Sequence, residues 1–283
     1  MASVNEINSI RNRMEHITTL ERQMTATAAI SMTERDRTEK ILDLAIHAYE
    51  SLREPAAAVI RQLPGIRTTH FLLKEPDSAT ATTAYLLMGT DRVLCGTHNE
   101  DILFETVKAK HSQDKLLIIG SQITDIAQSA HLPIIASFPS TSPEKTMTFA
   151  EFSPVGTTIL AEHAKEDIQR AVVVFKQKDA VCMRQVIPIL PEDIPAPTSE
   201  LRPKVEPDDV MVLDWTLTYL VLYGIYKNFL TSSIQEFTAR LKTASTAKIG
   251  AKQLNEELDM QQNTLRRARI TEQIIELADQ PHP

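Results

Sequence analysis

The two ends of the chain are nearly free of the residues that break helices, and this feature constrains the fold most. Residues 1–63 contain no glycine and one proline, Pro55, and residues 208–280 contain no proline and only two glycines. Inside a helix, proline costs about 3 kcal/mol and glycine about 1 kcal/mol relative to alanine. Residues 64–207 hold twelve of the fifteen prolines and five of the seven glycines. The sequence therefore predicts two very long terminal helices and a more interrupted middle region.

Both terminal regions carry apolar residues at mixed steps of three and four, the spacing of a coiled-coil seam. The N-terminal seam comprises Val4, Ile7, Ile10, Met14, Ile17, Leu20, Met24 and Ala28, and resumes at Ile41, Leu44, Ala48, Leu52, Ala56, Val59 and Leu63. The C-terminal seam follows a predicted N-cap at Asp208 and comprises Leu213, Leu217, Leu220, Ile234, Phe237, Leu241, Ala244, Ala251, Leu254, Leu258 and Leu265. Because a lone helix cannot bury such a seam, we expect the two helices to pair antiparallel.

The middle region alternates short apolar runs with amphipathic stretches. Strands are predicted at Thr69–Lys74, Ala84–Met88, Lys115–Ile119, Ile134–Ser137, Ala171–Phe175 and Val181–Ile189, and helices at Asn99–Lys110, Ser121–Ala130 and Val155–Lys165. This alternation is typical of an α/β domain with a mostly parallel sheet. The expected fold class is α/β, with an N-terminal coiled-coil helix over 1–63, a globular α/β domain over 64–207 and a C-terminal coiled-coil helix over 208–283.

Composition argues against several functions. Dinucleotide and P-loop sites need clustered glycines, and the seven glycines here form no cluster. A net charge of −7 and a pI near 5.7 argue against nucleic-acid binding. Two cysteines favour a reduced intracellular compartment over a disulfide framework. Charged residues within the first thirteen positions argue against a signal peptide. The charge-free run Trp215–Tyr226 is shorter than the roughly 20 residues that span a bilayer.

The sequence contains one weak candidate for catalysis or metal binding. Cys95 and His98 form a single C-x-x-H half-site, and no second half-site with matching spacing exists. A buried thiol and a loop histidine are the simpler interpretation. No Ser-His-Asp signature and no carboxylate pair in an apolar setting stand beside it. We therefore expect no catalytic residue, no cofactor and no metal.

The C-terminal helix is basic within an acidic protein. From Arg240 to Ile270 its charges sum to +4, which leaves −11 for the other residues. The basic residues are Arg240, Lys242, Lys248, Lys252, Arg266, Arg267 and Arg269, against Glu256, Glu257 and Asp259. A solvated helix face is one interpretation. An acidic partner at this end is the other.

Three stretches, in order over nearly the whole chain, resemble the gamma subunit of F-type ATP synthases. Glu6–Met32 aligns without a gap on the family's N-terminal helix, and Thr90–Gly96 with Asn99 is similar to its Ser-Asp-Arg-Gly-Leu-Cys-Gly-Gly-Leu-Asn segment. Near the C-terminus, Asn263, Arg266, Ala268, Ile270, Thr271 and Glu276 match the family's closing Tyr-Asn-Lys-Ala-Arg-Gln-Ala-Ser-Ile-Thr-Gln-Glu run. Val93 and Thr97 replace family glycines, which indicates a divergent member, with a second or sodium-type ATPase as one interpretation.

The resemblance implies a non-catalytic central-stalk rotor with a Rossmann-like domain. Its implied partners are the alpha and beta subunits of the catalytic hexamer, the epsilon subunit and the membrane c-ring, at the cytoplasmic face of a bacterial inner membrane. By the same resemblance, Arg266, Arg267, Thr271 and Gln273 would contact the alpha and beta subunits, with Met24 nearby on the partner helix. Two alternatives stay open: a coiled-coil scaffold with an α/β head and no rotary role, and a small nucleotide enzyme or oxidoreductase, which the glycine count disfavours.

Overall fold

The structure is a computed structural model, and it describes residues 4–77, 81–138, 145–196 and 206–278. The chain divides into two compact units. Unit 1 comprises Met1–Met32 and Arg240–Pro283, and unit 2 comprises Thr33–Ala239.

Both terminal regions form single long helices, as the scarcity of proline and glycine predicts. Helix α1 covers Val4–Gln62, with 59 residues, and helix α6 covers Asp209–Ala278, with 70 residues. Asp208 caps α6, because its Oδ1 accepts hydrogen bonds from the backbone N–H groups of Val210 and Met211 at 3.0 and 2.9 Å. These bonds satisfy two of the N–H groups that a helix start leaves without partners.

In unit 1 the two helices pair antiparallel. Asn255 of α6 donates a hydrogen bond to the hydroxyl of Thr18 in α1 at 3.0 Å. Gln262 and Arg266, further along α6, line one groove with Ile7 and other early residues of α1. As the residue number rises in one helix it falls in the other, so the predicted orientation is confirmed.

In unit 1, two residues predicted on the seam lie outside it. Leu20 is 43% exposed and Leu254 is 41% exposed. The residues of α1 that face α6 continue from Ile17 to Glu21, a step of four. Those of α6 that face α1 continue from Ala251 to Asn255, also a step of four. Both Glu21 and Asn255 are half-buried. A seam accepts steps of three or four, so apolar residues alone do not reveal where polar side chains enter it.

Leu44, predicted on the seam in the part of α1 that belongs to unit 2, is also exposed, and its neighbour Ala45 is buried instead. The buried row of α1 is therefore shifted by one residue there. A small residue allows a closer approach of the packed elements than leucine does, and such close packing is what protein cores require.

Unit 2 contains a five-stranded sheet in the order β3-β2-β1-β4-β5. The strands are β1 (Thr83–Met88), β2 (Lys115–Ile119), β3 (Ile134–Phe138), β4 (Arg170–Gln177) and β5 (Ala180–Ile187). The connecting helices are α3 (His98–Ala109), α4 (Ser121–Ser129) and α5 (Phe149–Ala164). Strands β1 to β4 pair parallel and β5 pairs antiparallel with β4. The predicted α/β class with a mostly parallel sheet is confirmed.

The predicted strand Thr69–Lys74 is wrong. Helix α2 covers Ile66–Thr69, and a turn follows in which the N–H groups of Leu73 and Lys74 both donate to the carbonyl of His70, at 3.0 and 2.9 Å. Leu72 and Leu73 are buried, as a strand would have required. Turn bonds, together with a hydrogen bond from the Ile189 N–H to the Leu72 carbonyl at 2.8 Å, satisfy this backbone in place of a strand ladder. A short apolar run cannot distinguish the two cases.

The sheet has an apolar layer on each face because successive strand residues point to opposite sides. One layer joins Leu86, Met88, Leu117 and Ile119 to buried residues of α5 and of the α1 and α6 segments in unit 2. The other joins Tyr85, Leu87, Leu116 and Ile118 to α3 and α4. A short 3₁₀ helix, Pro191–Asp193, precedes the chain segment that leads to α6.

Candidate functional site

The five residues predicted to contact a partner all lie in unit 1. Met24 is half-buried on α1, whereas Arg266, Arg267, Thr271 and Gln273 are exposed on α6. The hydroxyl of Thr271 donates to the carbonyl of Arg267 at 3.1 Å, within the same helix. Neither arginine forms an ion pair with a residue that the structure describes. The four α6 residues are therefore open to a partner.

Arg266 lines a groove of about 650 Å³ along α1. Arg11 and Arg22 also line it, and Glu15 is the acidic residue among its lining side chains. Arg11 and Glu15 approach within 3.7 Å. Three guanidinium groups against one carboxylate favour an anionic or acidic occupant, because arginine binds carboxylates through paired hydrogen bonds.

The helix register separates Met24 from the α6 residues. Asn255 faces Thr18, and from that level Met24 lies six residues along α1 while Arg266 lies eleven residues along α6. In an antiparallel pair these offsets run in opposite directions, so about 25 Å separates the two residues along the pair at 1.5 Å per residue. The five predicted residues therefore do not form one cluster.

The end of α6 also exposes apolar side chains that sequence reasoning missed. Ile270, Ile274 and Ile275 are exposed, whereas Arg269, which precedes them, and Glu272, which lies among them, are half-buried. Spacing gave no signal for them, since steps of three and four from Leu258 can reach all three isoleucines. Exposed apolar residues grouped at one helix end are typical of a protein contact.

A second polar cluster lies in unit 2, in the loop that follows β1. Arg92 and Glu236 form a buried ion pair, with each side chain 4% exposed. One terminal nitrogen of Arg92 donates to both carboxylate oxygens of Glu236 at 2.9 and 3.0 Å. Its other terminal nitrogen donates to the Lys145 carbonyl at 2.7 Å. Sequence comparison singled out the Asp-Arg-x-Leu-Cys-Gly string, but it did not identify Glu236 as the partner.

A signal for Glu236 exists in the sequence. It is the one carboxylate between Asp214 and Glu256 in a largely apolar stretch of α6. A charged residue in such a setting is rarely buried without a partner. Its partner lies 144 residues away, which a pattern in one sequence does not reveal.

Cys95 and His98 are held by different groups. The thiol of Cys95 donates to the Arg92 carbonyl at 3.2 Å and lies 3.9 Å from Glu236 Oε1. His98 Nε2 lies 3.3 Å from both the Met88 carbonyl and the Ser232 hydroxyl. Burial lowers the pKa of His98, so the ring is neutral at pH 7. Cys95 is therefore the buried thiol of the simpler interpretation, whereas the loop histidine is wrong, because His98 is buried and is the first residue of α3.

Among the residues that the structure describes, no group of three or more His, Cys, Asp or Glu side chains is placed to hold a metal ion. Within the same residues, no helix combines the length and apolar character needed to cross a membrane.

Comparison with known proteins gives a consistent result. A family model described as ATP synthase matches residues 6–279. An ATP synthase gamma chain from Staphylococcus epidermidis is 23% identical over 291 residues, covering 98% of this chain and 97% of the relative. A gamma chain from Pelagibacter ubique is 24% identical over 203 residues, covering 68% of this chain and 70% of the relative.

Solved structures show the same fold. A chain in the Euglena gracilis mitochondrial ATP synthase, in a structure of OSCP/F1/c-ring in rotational state 3, superposes with a TM-score of 0.65 at 12% identity. That match covers 98% of this chain and 93% of the other. A chain of the rotor of the same enzyme in rotational state 1 gives a TM-score of 0.62, with 95% and 100% covered.

Proposed function

Because this chain belongs to the ATP synthase gamma-chain family, we propose that it turns as the central-stalk rotor inside a hexamer of alpha and beta subunits. The observation that carries the proposal is the family match over residues 6–279, together with a fold in which two long terminal helices flank an α/β domain. The chain would couple ion flow through a membrane ring to ATP synthesis or hydrolysis in the hexamer.

We propose that this subunit carries no catalytic site of its own. The glycines form no phosphate-binding cluster, and the buried Cys95 and His98 are engaged with other groups. Catalysis would belong to the beta subunits. The rotor would act on them through differential contact, because a ligand or partner shifts a conformational equilibrium only by interacting differently with the two states.

The predicted contact residues would give the rotor two separate contact areas. Arg266, Arg267, Thr271 and Gln273 would meet the alpha and beta subunits near the end of α6, and Met24 would make a separate contact about 25 Å away along the pair. The exposed isoleucines beside these residues add an apolar contact. A carboxylate-bearing partner would pair with the arginines in turn, in exposed contacts worth about 0.2–1 kcal/mol each. Contacts of this size can form and break as the shaft turns.

Assembly and location follow from the same proposal. The relatives in solved structures come from a rotor and from an OSCP/F1/c-ring assembly, which supports binding to the hexamer and the c-ring. Binding to an epsilon subunit rests on the sequence resemblance alone. The chain would be peripheral to the membrane, at the cytoplasmic face of a bacterial inner membrane. Its functional parts would be 1–63, 64–207 and 208–283.

The test is assembly with the alpha and beta subunits of the same enzyme. The tagged chain is co-expressed with them, purified through the tag and assayed for ATP hydrolysis. We expect both subunits to co-purify in an active complex, and the isolated chain to hydrolyse no ATP. A chain that never associates with the hexamer would act as a scaffold instead, and the rotor proposal would be wrong. ATP turnover by the isolated chain, lost on mutation of unit 2, would overturn the non-catalytic assignment.

A further inference from the structure

The ion pair between Arg92 and Glu236 holds α6 against the loop that follows β1. Beyond the two bonds to the carboxylate and the bond to the Lys145 carbonyl, the guanidinium carbon lies 4.8 Å from the ring centre of Phe237. Phe237 is fully buried and follows Glu236 on α6. The guanidinium is thus fixed in direction by a carboxylate, a carbonyl and a ring face.

The loop itself has little freedom to follow a moving helix. The backbone N–H of Thr90 donates to Asn99 Oδ1 at 3.0 Å, and the Asp91 carboxylate accepts from the backbone N–H of Ser121. These bonds tie the loop to the starts of α3 and α4. Gly89 is required at the loop entry, because a Cβ there would lie 2.3 Å from Ile123 Cγ2. Arg92 therefore projects from a rigid base.

A second anchor lies one helical turn before Glu236. The hydroxyl of Ser232 donates to the Met88 carbonyl, the last residue of β1, at 3.0 Å. Residues four apart lie on the same face of a helix. Ser232 and Glu236 therefore attach one face of α6 to the carboxyl end of β1. In doubly wound sheets the usual ligand crevice lies at the carboxyl ends of the strands where the strand order reverses, here between β1 and β4. Here α6 occupies it.

A buried ion pair of this kind is poorly suited to adding stability. Removing two charges from water costs about as much as their attraction returns, and apolar replacements of the same volume are often as stable or more so. What the pair does supply is a fixed register of α6 against the α/β domain. Apolar helix packing can shift by one turn into a second arrangement. A shift of α6 would leave two buried charges unpaired, which is strongly unfavourable.

We propose that Arg92 and Glu236 are positioning residues that lock the rotation and the axial position of α6 on the α/β domain, so that α6 does not slip while it carries torque. This inference rests on the proposed rotor function. It assigns the pair a role in coupling rather than in assembly or in ATP hydrolysis. The Asp-Arg-x-Leu-Cys-Gly string then has a mechanical role, because it forms the rigid loop that presents Arg92 to Glu236.

The test replaces the pair by apolar residues of similar size, Arg92→Met with Glu236→Leu, in the complete ATP synthase in membrane vesicles. ATP hydrolysis and ion pumping are measured together, first with an uncoupler and then against a rising membrane potential. We expect wild-type melting temperature and uncoupled hydrolysis. Under load, we expect the number of ions pumped per ATP to fall by about twofold or more. A twofold fall is reached when about half of the rotors have slipped. A merely structural role would not produce a load-dependent ratio.

Two further variants sharpen the result. Arg92→Lys keeps the charge but lacks the second terminal nitrogen, which donates to the Lys145 carbonyl, so we expect it to slip at higher load than the double variant. The matched control is Lys176→Met with Asp101→Leu, which removes a 2.6 Å ion pair between β4 and α3 and keeps the backbone N–H of Lys176 that donates to Ser232 of α6. The control should pump as the wild type does.

Other outcomes count against the inference. Equal pumping ratios for the double variant and the wild type at every potential would show that no lock is needed. If neither the double variant nor Arg92→Lys folds and assembles, the pair serves stability and the inference is also wrong. If the wild-type chain itself neither assembles with the hexamer nor couples, the proposed rotor function fails instead.

Discussion

Leu258 and Leu254 occupy successive turns of α6, yet their environments predict very different costs of truncation. Leu258 is 2% exposed in the seam of unit 1, and Leu254 is 41% exposed beside it. Leucine to alanine removes three carbon groups, at about 0.8 kcal/mol for each group that is fully buried. With the cavity that remains, Leu258→Ala should cost about 2–5 kcal/mol. Leu254→Ala leaves no enclosed cavity and should cost about 1 kcal/mol or less.

The two variants are matched controls for each other. Both change leucine to alanine within the same helix, so the change in helix propensity cancels in the comparison. Urea unfolding followed by circular dichroism at 222 nm gives the free energy of unfolding from the midpoint and the slope. Trp215, the one tryptophan, lies in unit 2, and its fluorescence shows whether that unit unfolds in the same transition.

We expect Leu258→Ala to lower the unfolding midpoint clearly and Leu254→Ala to leave it close to that of the wild type. Equal losses for both variants would refute the seam that passes through Asn255. A larger loss for Leu254→Ala would restore the seam expected from the apolar spacing alone.

Three more predictions follow from named contacts. Burial, with a smaller contribution from nearby Arg184, lowers the pKa of Lys227 to about 8 from 10.5 in the unfolded chain. The unfolded state therefore binds more protons between pH 8 and 10, and the free energy of unfolding should rise with pH in that window; a Lys227→Met variant with the same rise would contradict this. Gly156→Ala should lower the melting temperature, because its Cβ would lie 2.3 Å from Cδ2 of Leu222, which is 5% exposed and has little room to move aside. Overpacking of about 1–3 kcal/mol then outweighs the roughly 1 kcal/mol gained in helix propensity; a higher melting temperature would show that Leu222 yields freely. Arg266→Ala with Arg267→Ala should leave circular dichroism and melting unchanged and reduce ATPase rate and coupling in the assembled complex; full activity would mean that the two arginines are only a solvated helix face.

The fold was largely predictable because its signals are local. Scarcity of proline and glycine determines helix length wherever it occurs, and apolar runs between turn residues located five strands to within a few residues. The errors share one cause. Thr69–Lys74 buries its leucines outside the sheet, and Leu20, Leu44 and Leu254 are apolar without facing the core. Burial and pairing depend on what lies opposite, which a spacing pattern does not contain.

The candidate sites divide in the same way. The resemblance to the gamma-subunit family singled out Arg266, Arg267 and the Asp-Arg-x-Leu-Cys-Gly string, because these residues lie in continuous stretches of sequence. The separation of Met24 from Arg266 depends on the register of two helices, and sequence spacing within each helix is silent on that register.

The sequence by itself determined the class of fold, the two long helices and the family. The tertiary structure decided which polar residues enter the seams, and it brought Glu236 to Arg92 across 144 positions. The physical reason is the range of the interactions. Helix propensity and turn preference act over a few neighbouring residues, whereas burial of a charge is tolerated only when folding supplies a partner from elsewhere in the chain.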